Sequence, residues 1–435
     1  MLYKIVFSVA LSAMLWAALP VSASAQTSSS GGAAAGDSVI LEMQKAFRRG
    51  DKARLTQLLP QARGHALEAW AAYWELKARL DDASAQEVQD FLARYAGTYQ
   101  EDRLRNDLLL LLGQRGDWTT FEAEYPKYRM NDDREVRCYA LLAEHLKNPA
   151  QDTRLSDEVR KNWLAQRDAD NGCTAAAAQL AGAKNLTQQD IWHKARLAID
   201  ANRPRAARDA VQIVAPQAVG MVNELNSSPA KFLTDKHLAL RKVRKEIITL
   251  ALIKLASSDV QGAAFQLEKK WALQLSREER NWLWGVLGKQ AATRLGTLPA
   301  SDALQYFARV SDDTDLTDDM LAWKARAALR AGSKPNWQQV QAAIQAMSEE
   351  GRNDPAWTYW KARALLATAA PDAAPSTAAS GVTPVALRIA PQRAEALALL
   401  QSIASVRGFY EQLALEELGQ KITVPPRPAP LSTEE

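Results

Sequence analysis

The sequence predicts an all-α chain, a superhelix built as a solenoid of helical hairpins. Three observations carry this. Apolar residues recur at helical spacing from about residue 38 onward, helix-start and helix-stop signals fall between those runs, and a Trp-centred motif recurs at the period of a helix–turn–helix repeat. No sustained alternation of β-branched residues marks a strand.

Residues 1–25 read as a secretory signal peptide. Lys4 supplies the positive start, residues 5–19 the apolar run, and Ala23-Ser24-Ala25 the small-residue cleavage site, with cleavage after Ala25. The apolar run is shorter than the roughly 20 residues a spanning helix needs, so no stable membrane anchor is expected. Residues 26–37 form a Ser/Gly/Ala leader, expected to be flexible.

The repeat array is expected over 38–368. Leu104, Leu108, Leu111 and Leu112 form one buried stripe; Ile248, Leu252 and Leu255 form another. Ser84 with Glu87, and Ser276 with Glu279, have the spacing of capping boxes, and Thr187 with Asp190 resembles one. Arg49-Gly50-Asp51 and Arg115-Gly116-Asp117 lie between helical runs. There Gly suits the left-handed turn that ends one helix, and Asp the cap of the next.

Trp323-Lys324-Ala325-Arg326-Ala327 recurs as Trp360-Lys361-Ala362-Arg363-Ala364. Looser copies start at Trp192 and Trp74, and Trp284 is expected to begin a further helix. A recurring Trp on an apolar helix face is a packing anchor rather than a sugar platform. One hairpin cannot bury its face alone, so roughly ten would stack in line.

Residues 369–390 are an Ala/Pro-rich insertion, 391–420 a last hairpin, and 421–435 a Pro-rich tail that cannot continue a helix.

The composition excludes several functions. The 435 residues carry 54 Lys+Arg against 50 Asp+Glu, a formal net charge of +4, which gives no support for nucleic-acid binding. Four His and two Cys argue against a zinc centre, and no metal or cofactor site is assigned. Cys138 and Cys173 are placed to form a disulfide in an oxidising compartment, the alternative being two buried thiols. No nucleophile motif, zinc-protease helix or phosphate-binding Gly-rich loop occurs. The paired acids Asp132-Asp133, Asp312-Asp313, Asp318-Asp319, Glu349-Glu350 and Glu416-Glu417 suit helix ends and solvent, so no catalytic residue is assigned. The most basic run, residues 236–245, reads as a solvated helix face.

The order of these features, ending in Gly408-Phe409-Tyr410-Glu411-Gln412-Leu413-Ala414, resembles the soluble lytic murein transglycosylases of Gram-negative bacteria. Phe409, Tyr410, Leu413 and Ala414 match the family's junction segment, while Glu411 replaces its usual Gly. The resemblance implies a U-shaped or ring-like superhelix, with 391–420 opening a linker domain. It also implies a place in the periplasm and peptidoglycan as partner. The family cleaves the bond between N-acetylmuramic acid and N-acetylglucosamine, leaving a 1,6-anhydromuramoyl product. Its catalytic domain carries a Glu-Ser dipeptide, and none occurs here. The expectation is therefore a scaffold, inactive alone, working with a separate catalytic chain or another periplasmic protein. The rival expectation is a free-standing tetratricopeptide-like interaction scaffold.

Overall fold

The computed structural model describes residues 30–149, 153–236, 238–294, 300–369, 391–423 and 427. The signal segment with its cleavage site, most of the Ala/Pro-rich insertion and most of the tail lie outside the described residues. Those described are all-α: 23 α-helices joined by short 3-10 turns and one π-helical turn, with no strand among them.

The helices form where the sequence's local signals place them. All three capping boxes close, each N-cap hydroxyl accepting from the amide three residues on while that residue's carboxylate accepts from the N-cap amide. Gly50 and Gly116 adopt φ of 69° and 70°, and the aspartate after each accepts from a first-turn amide of the next helix, Arg54 and Thr120 respectively.

Three expectations need correction. The first helix, Ser30–Arg49, starts inside the segment read as a flexible leader, because Ala33-Ala34-Ala35 favour helix enough to extend it past Gly36. Trp284 lies inside helix Arg277–Thr293 rather than at its start, since the Ser276 cap sets the boundary earlier. Leu111 is only half-buried; Leu109 takes its place in the core beside Leu104, Leu108 and Leu112.

The chain divides into two compact units, residues 1–115 with 123–130, and residues 116–122 with 131–435. The span expected as one array thus falls across both. In the first unit Ile40, Met43, Leu55, Leu58 and Ala71 pack as one core. A buried ionic set lies in the same unit. Arg105 bonds Glu101 and Glu124, and both oxygens of Asp102 accept amides, from Arg129 at 2.9 Å and Met130 at 2.8 Å.

In the second unit many helices pack on their successor or on the helix after that, and Gln188–Asp200 also packs on Lys242–Ala256. Arg134–Lys147 meets Asn171–Gly182, Arg277–Thr293 meets Asp318–Leu329, and Trp337–Ala346 meets Pro355–Thr368. This is mostly the near-neighbour stacking of a solenoid, with ion pairs that also tie Gln188–Asp200 to Arg277–Thr293. A disulfide joins Cys138 to Cys173 across the first of these pairs, at a Cα–Cα distance of 4.8 Å. Helix Thr153–Ala165 intervenes in sequence, so the two cysteines sit on next-but-one helices.

Candidate functional site

The Trp repeat explains how the stack is fastened. Trp192 is fully buried and Trp284 nearly so, whereas Trp74, Trp323 and Trp360 are half-buried. The Lys and Arg that follow each Trp reach out to neighbouring elements. Lys77 bonds Asp107 at 2.7 Å, Lys324 bonds Asp313 at 2.7 Å, and Lys361 bonds Glu395 at 2.9 Å. Arg79 bridges Glu75 and Glu87, both at 2.7 Å, and Arg363 pairs with Glu417. The Arg326 guanidinium lies between the Trp323 and Trp357 rings, at 4.9 and 5.0 Å from their centroids. The indole is the packing anchor, and the two cations are staples.

In the copy at Trp192 these cations are buried, and beside them opens a cleft of about 510 Å³ in the second unit. Its lining includes Arg167, Lys194, Asp200, Arg203, Lys289 and Asp319. Arg167 lies just past helix Thr153–Ala165, Lys194 and Asp200 are on Gln188–Asp200, Arg203 is the N-cap of Pro204–Val214, Lys289 is in the C-terminal half of Arg277–Thr293 and Asp319 in the first turn of Asp318–Leu329. Lys194 donates to the carbonyls of Trp163 and Gln166, where a helix C-terminus favours a cation. Burial nevertheless pushes its amine down to about 8, with Asp170 opposing the change. Lys289 bonds Asp200 and Asp319, each at 2.6 Å. Burial works against its charge, but the two carboxylates outweigh that and hold it above the ordinary lysine value.

Behind the cleft lies a buried ion network. Arg196 bonds both oxygens of Glu246, at 2.8 and 2.9 Å, and also Glu278. Lys242 joins Glu246 at 2.7 Å and Glu279 at 3.0 Å. His193 stacks on Trp282, centroids 4.8 Å apart, with its Nε2 3.2 Å from Glu278. Burial disfavours the Glu278 charge, yet His193 and Arg196 together draw its carboxyl down to about 2.

The cleft lining holds no Ser, Thr, Cys or His. Asp170, whose carboxyl burial lifts to about 6, caps helix Asn171–Gly182 and is absent from the lining. Among the described residues no group of three or more His, Cys, Asp or Glu is placed to hold a metal ion, and no helix is long and apolar enough to cross a membrane.

The paired acids sit at helix ends and in ion pairs. Asp133 and Asp312 are N-caps, Asp318 accepts from the Ser348 amide at 2.8 Å, Asp319 meets Lys289, and Glu350 meets Lys161 at 2.8 Å. Of the junction residues, Ala414 is buried, Tyr410 and Leu413 pack against the core containing Tyr359 and Ala362, and Phe409 is exposed. Sequence reasoning did not single out the cleft residues; the Trp192 motif was the signal that leads to Lys194.

No family model and no curated protein matches the chain. Solved structures do. An inactive mutant of the lytic transglycosylase Slt from Pseudomonas aeruginosa is similar over 88% of this chain, at 24% identity and a TM-score of 0.45. The 70-kDa soluble lytic transglycosylase from Escherichia coli is similar over 91%, at 16% identity and a TM-score of 0.42. A complex of a 70-kDa soluble lytic transglycosylase with bulgecin A matches over 92%, at 16% identity and 0.43. The chain spans about three fifths of the length of these proteins.

Proposed function

We propose that this chain is a periplasmic helical scaffold that engages peptidoglycan in cell-wall turnover, and that these residues hold glycan without cutting it. The observation that carries the reading is the junction helix Phe409–Glu417. Three of its four matching residues pack inward, and Phe409 is exposed. Tyr410, Leu413 and Ala414 dock it on the Trp360 helix, with Tyr410 5.7 Å from Tyr359 and Arg363 paired to Glu417. The segment that resembles the transglycosylase junction thus closes the last repeat. The export-type N-terminal sequence and the two paired cysteines suit an oxidising compartment. The sequence contains no Glu-Ser dipeptide, and no Ser, Thr, Cys or His lines the cleft.

The test is co-sedimentation with insoluble peptidoglycan, coupled to mass spectrometry for 1,6-anhydromuropeptides. The expected outcome is retention in the pellet with no released product. A chain that stays in the supernatant and instead retains one periplasmic protein would favour the tetratricopeptide-like scaffold. Release of anhydromuropeptides would place a catalytic carboxyl among residues described here as structural.

A further inference from the structure

The basic run 236–245 carries a feature that packing does not explain. Residues 238–240 lie outside regular secondary structure, between helices Pro229–Asp235 and Lys242–Ala256. Ala239 is fully buried, while Leu238 and Leu240 on either side are 63% and 76% exposed. An ordinary surface segment shows the reverse pattern. The Ala239 amide donates to Gln274 Oε1 at 2.8 Å, which brings this segment beside the turn after the π-helical Leu267–Trp271. On that turn Leu273 is 99% exposed, so its whole side chain projects into solvent. Lys270 holds the corner together by donating to the Leu233 and Thr234 carbonyls.

Basic residues flank this apolar tip along the sequence. Lys231, Arg241 and Lys269 are exposed and Lys245 is half-exposed, with no ion pair to an acid among the described residues. Lys236 pairs loosely with Glu224 at 3.6 Å, Glu268 pairs with Arg309, and Asp235 is a further exposed carboxylate nearby in sequence. Such a surface repels a second copy of itself. A projecting leucine enters a fluid acyl layer readily, while the lysines and arginines flanking it meet anionic headgroups.

We propose that the Leu238, Leu240 and Leu273 corner, with the flanking basic residues Lys231, Arg241, Lys245 and Lys269, is a reversible docking site for an anionic phospholipid surface. Two weak signals together, apolar insertion and flanking cations, give peripheral binding where either alone is marginal. The site lies apart from the cleft and does not depend on the peptidoglycan reading.

The experiment is sedimentation of the full chain with vesicles of phosphatidylcholine alone, or mixed about 2:1 with phosphatidylglycerol. Binding is expected on the anionic vesicles only, and should fall steeply as salt is raised. Leu238→Ser/Leu240→Ser/Leu273→Ser should weaken it by roughly tenfold or more with an unchanged helical spectrum and melting curve, since exposed leucines contribute little to folding. Arg241→Ser/Lys269→Ser should weaken it less and flatten the salt dependence. Three results would overturn the proposal: no binding to anionic vesicles, equal binding to neutral ones, or full binding by the triple-serine variant. Capture of an acidic protein by this corner, with vesicles ignored, would assign it to a protein partner and also overturn it.

Discussion

Asp170 places one carboxylate oxygen on the Cys173 amide and buries the other without a hydrogen-bond partner. Burial is the main reason its carboxyl moves from the ordinary 3.8 to about 6; the Cys173 amide opposes the change, and Glu135 adds to it. A group that holds its proton more tightly when folded contributes stability below the unfolded value, and loses it as pH rises through the folded one. The charged form therefore costs stability above about pH 6, on the order of 2–3 kcal/mol at neutral pH. Asn caps a helix as well as Asp does and carries no charge. Asp170→Asn should raise stability against denaturant by about 2 kcal/mol at pH 7, and the gain should shrink steadily as pH falls towards 4. Urea titrations at both pH values check this. A gain independent of pH would show that charge burial is not its source.

At the scale of helices, the arrangement is set by ion pairs that cross between them. Arg196 and Glu246 are fully buried, and Lys242 is the second cation on Glu246. Removing Arg196 leaves that buried carboxylate with Lys242 alone, at a cost of up to about 3–5 kcal/mol. Arg196→Met should lower stability by that amount, and Arg196→Met/Glu246→Gln should recover at least about 1 kcal/mol of it. Chemical denaturation of the four species of the cycle measures the coupling. Simple additivity would mean the two residues do not act as a pair. This network also marks where the sequence stops being readable. The caps at Ser84, Thr187 and Ser276 were legible because each partner lies three residues away. Arg196 finds its partners 50 and 82 residues away, a distance that helical periodicity does not encode. Lys194 was hidden for a related reason: its partners are main-chain carbonyls, which leave no mark in the sequence.

Over the whole molecule, the solenoid was legible because its contacts are local. Period, caps and Gly turns each describe one hairpin, and stacking repeats the same problem along the chain. The predominance of near-neighbour packing also shapes how the protein responds to damage. The Cys138–Cys173 link spans 35 residues. Closing a loop of that size is worth roughly 3–4 kcal/mol in the chain-entropy account. In a globule that loss would be felt everywhere, because all elements share one core. In a linear stack it should stay near the link, since each repeat stabilises only its neighbours. Hydrogen-exchange mass spectrometry of the native and the reduced, alkylated protein distinguishes the two cases. Reduction should expose amides of helices Arg134–Lys147, Thr153–Ala165 and Asn171–Gly182, while Arg277–Thr293 and Asp318–Leu329 keep their protection. Deprotection spread evenly over the second unit would mean it unfolds as one body. Two thiols alkylated freely before any reductant is added would mean the link does not form, and the local effect should then be absent.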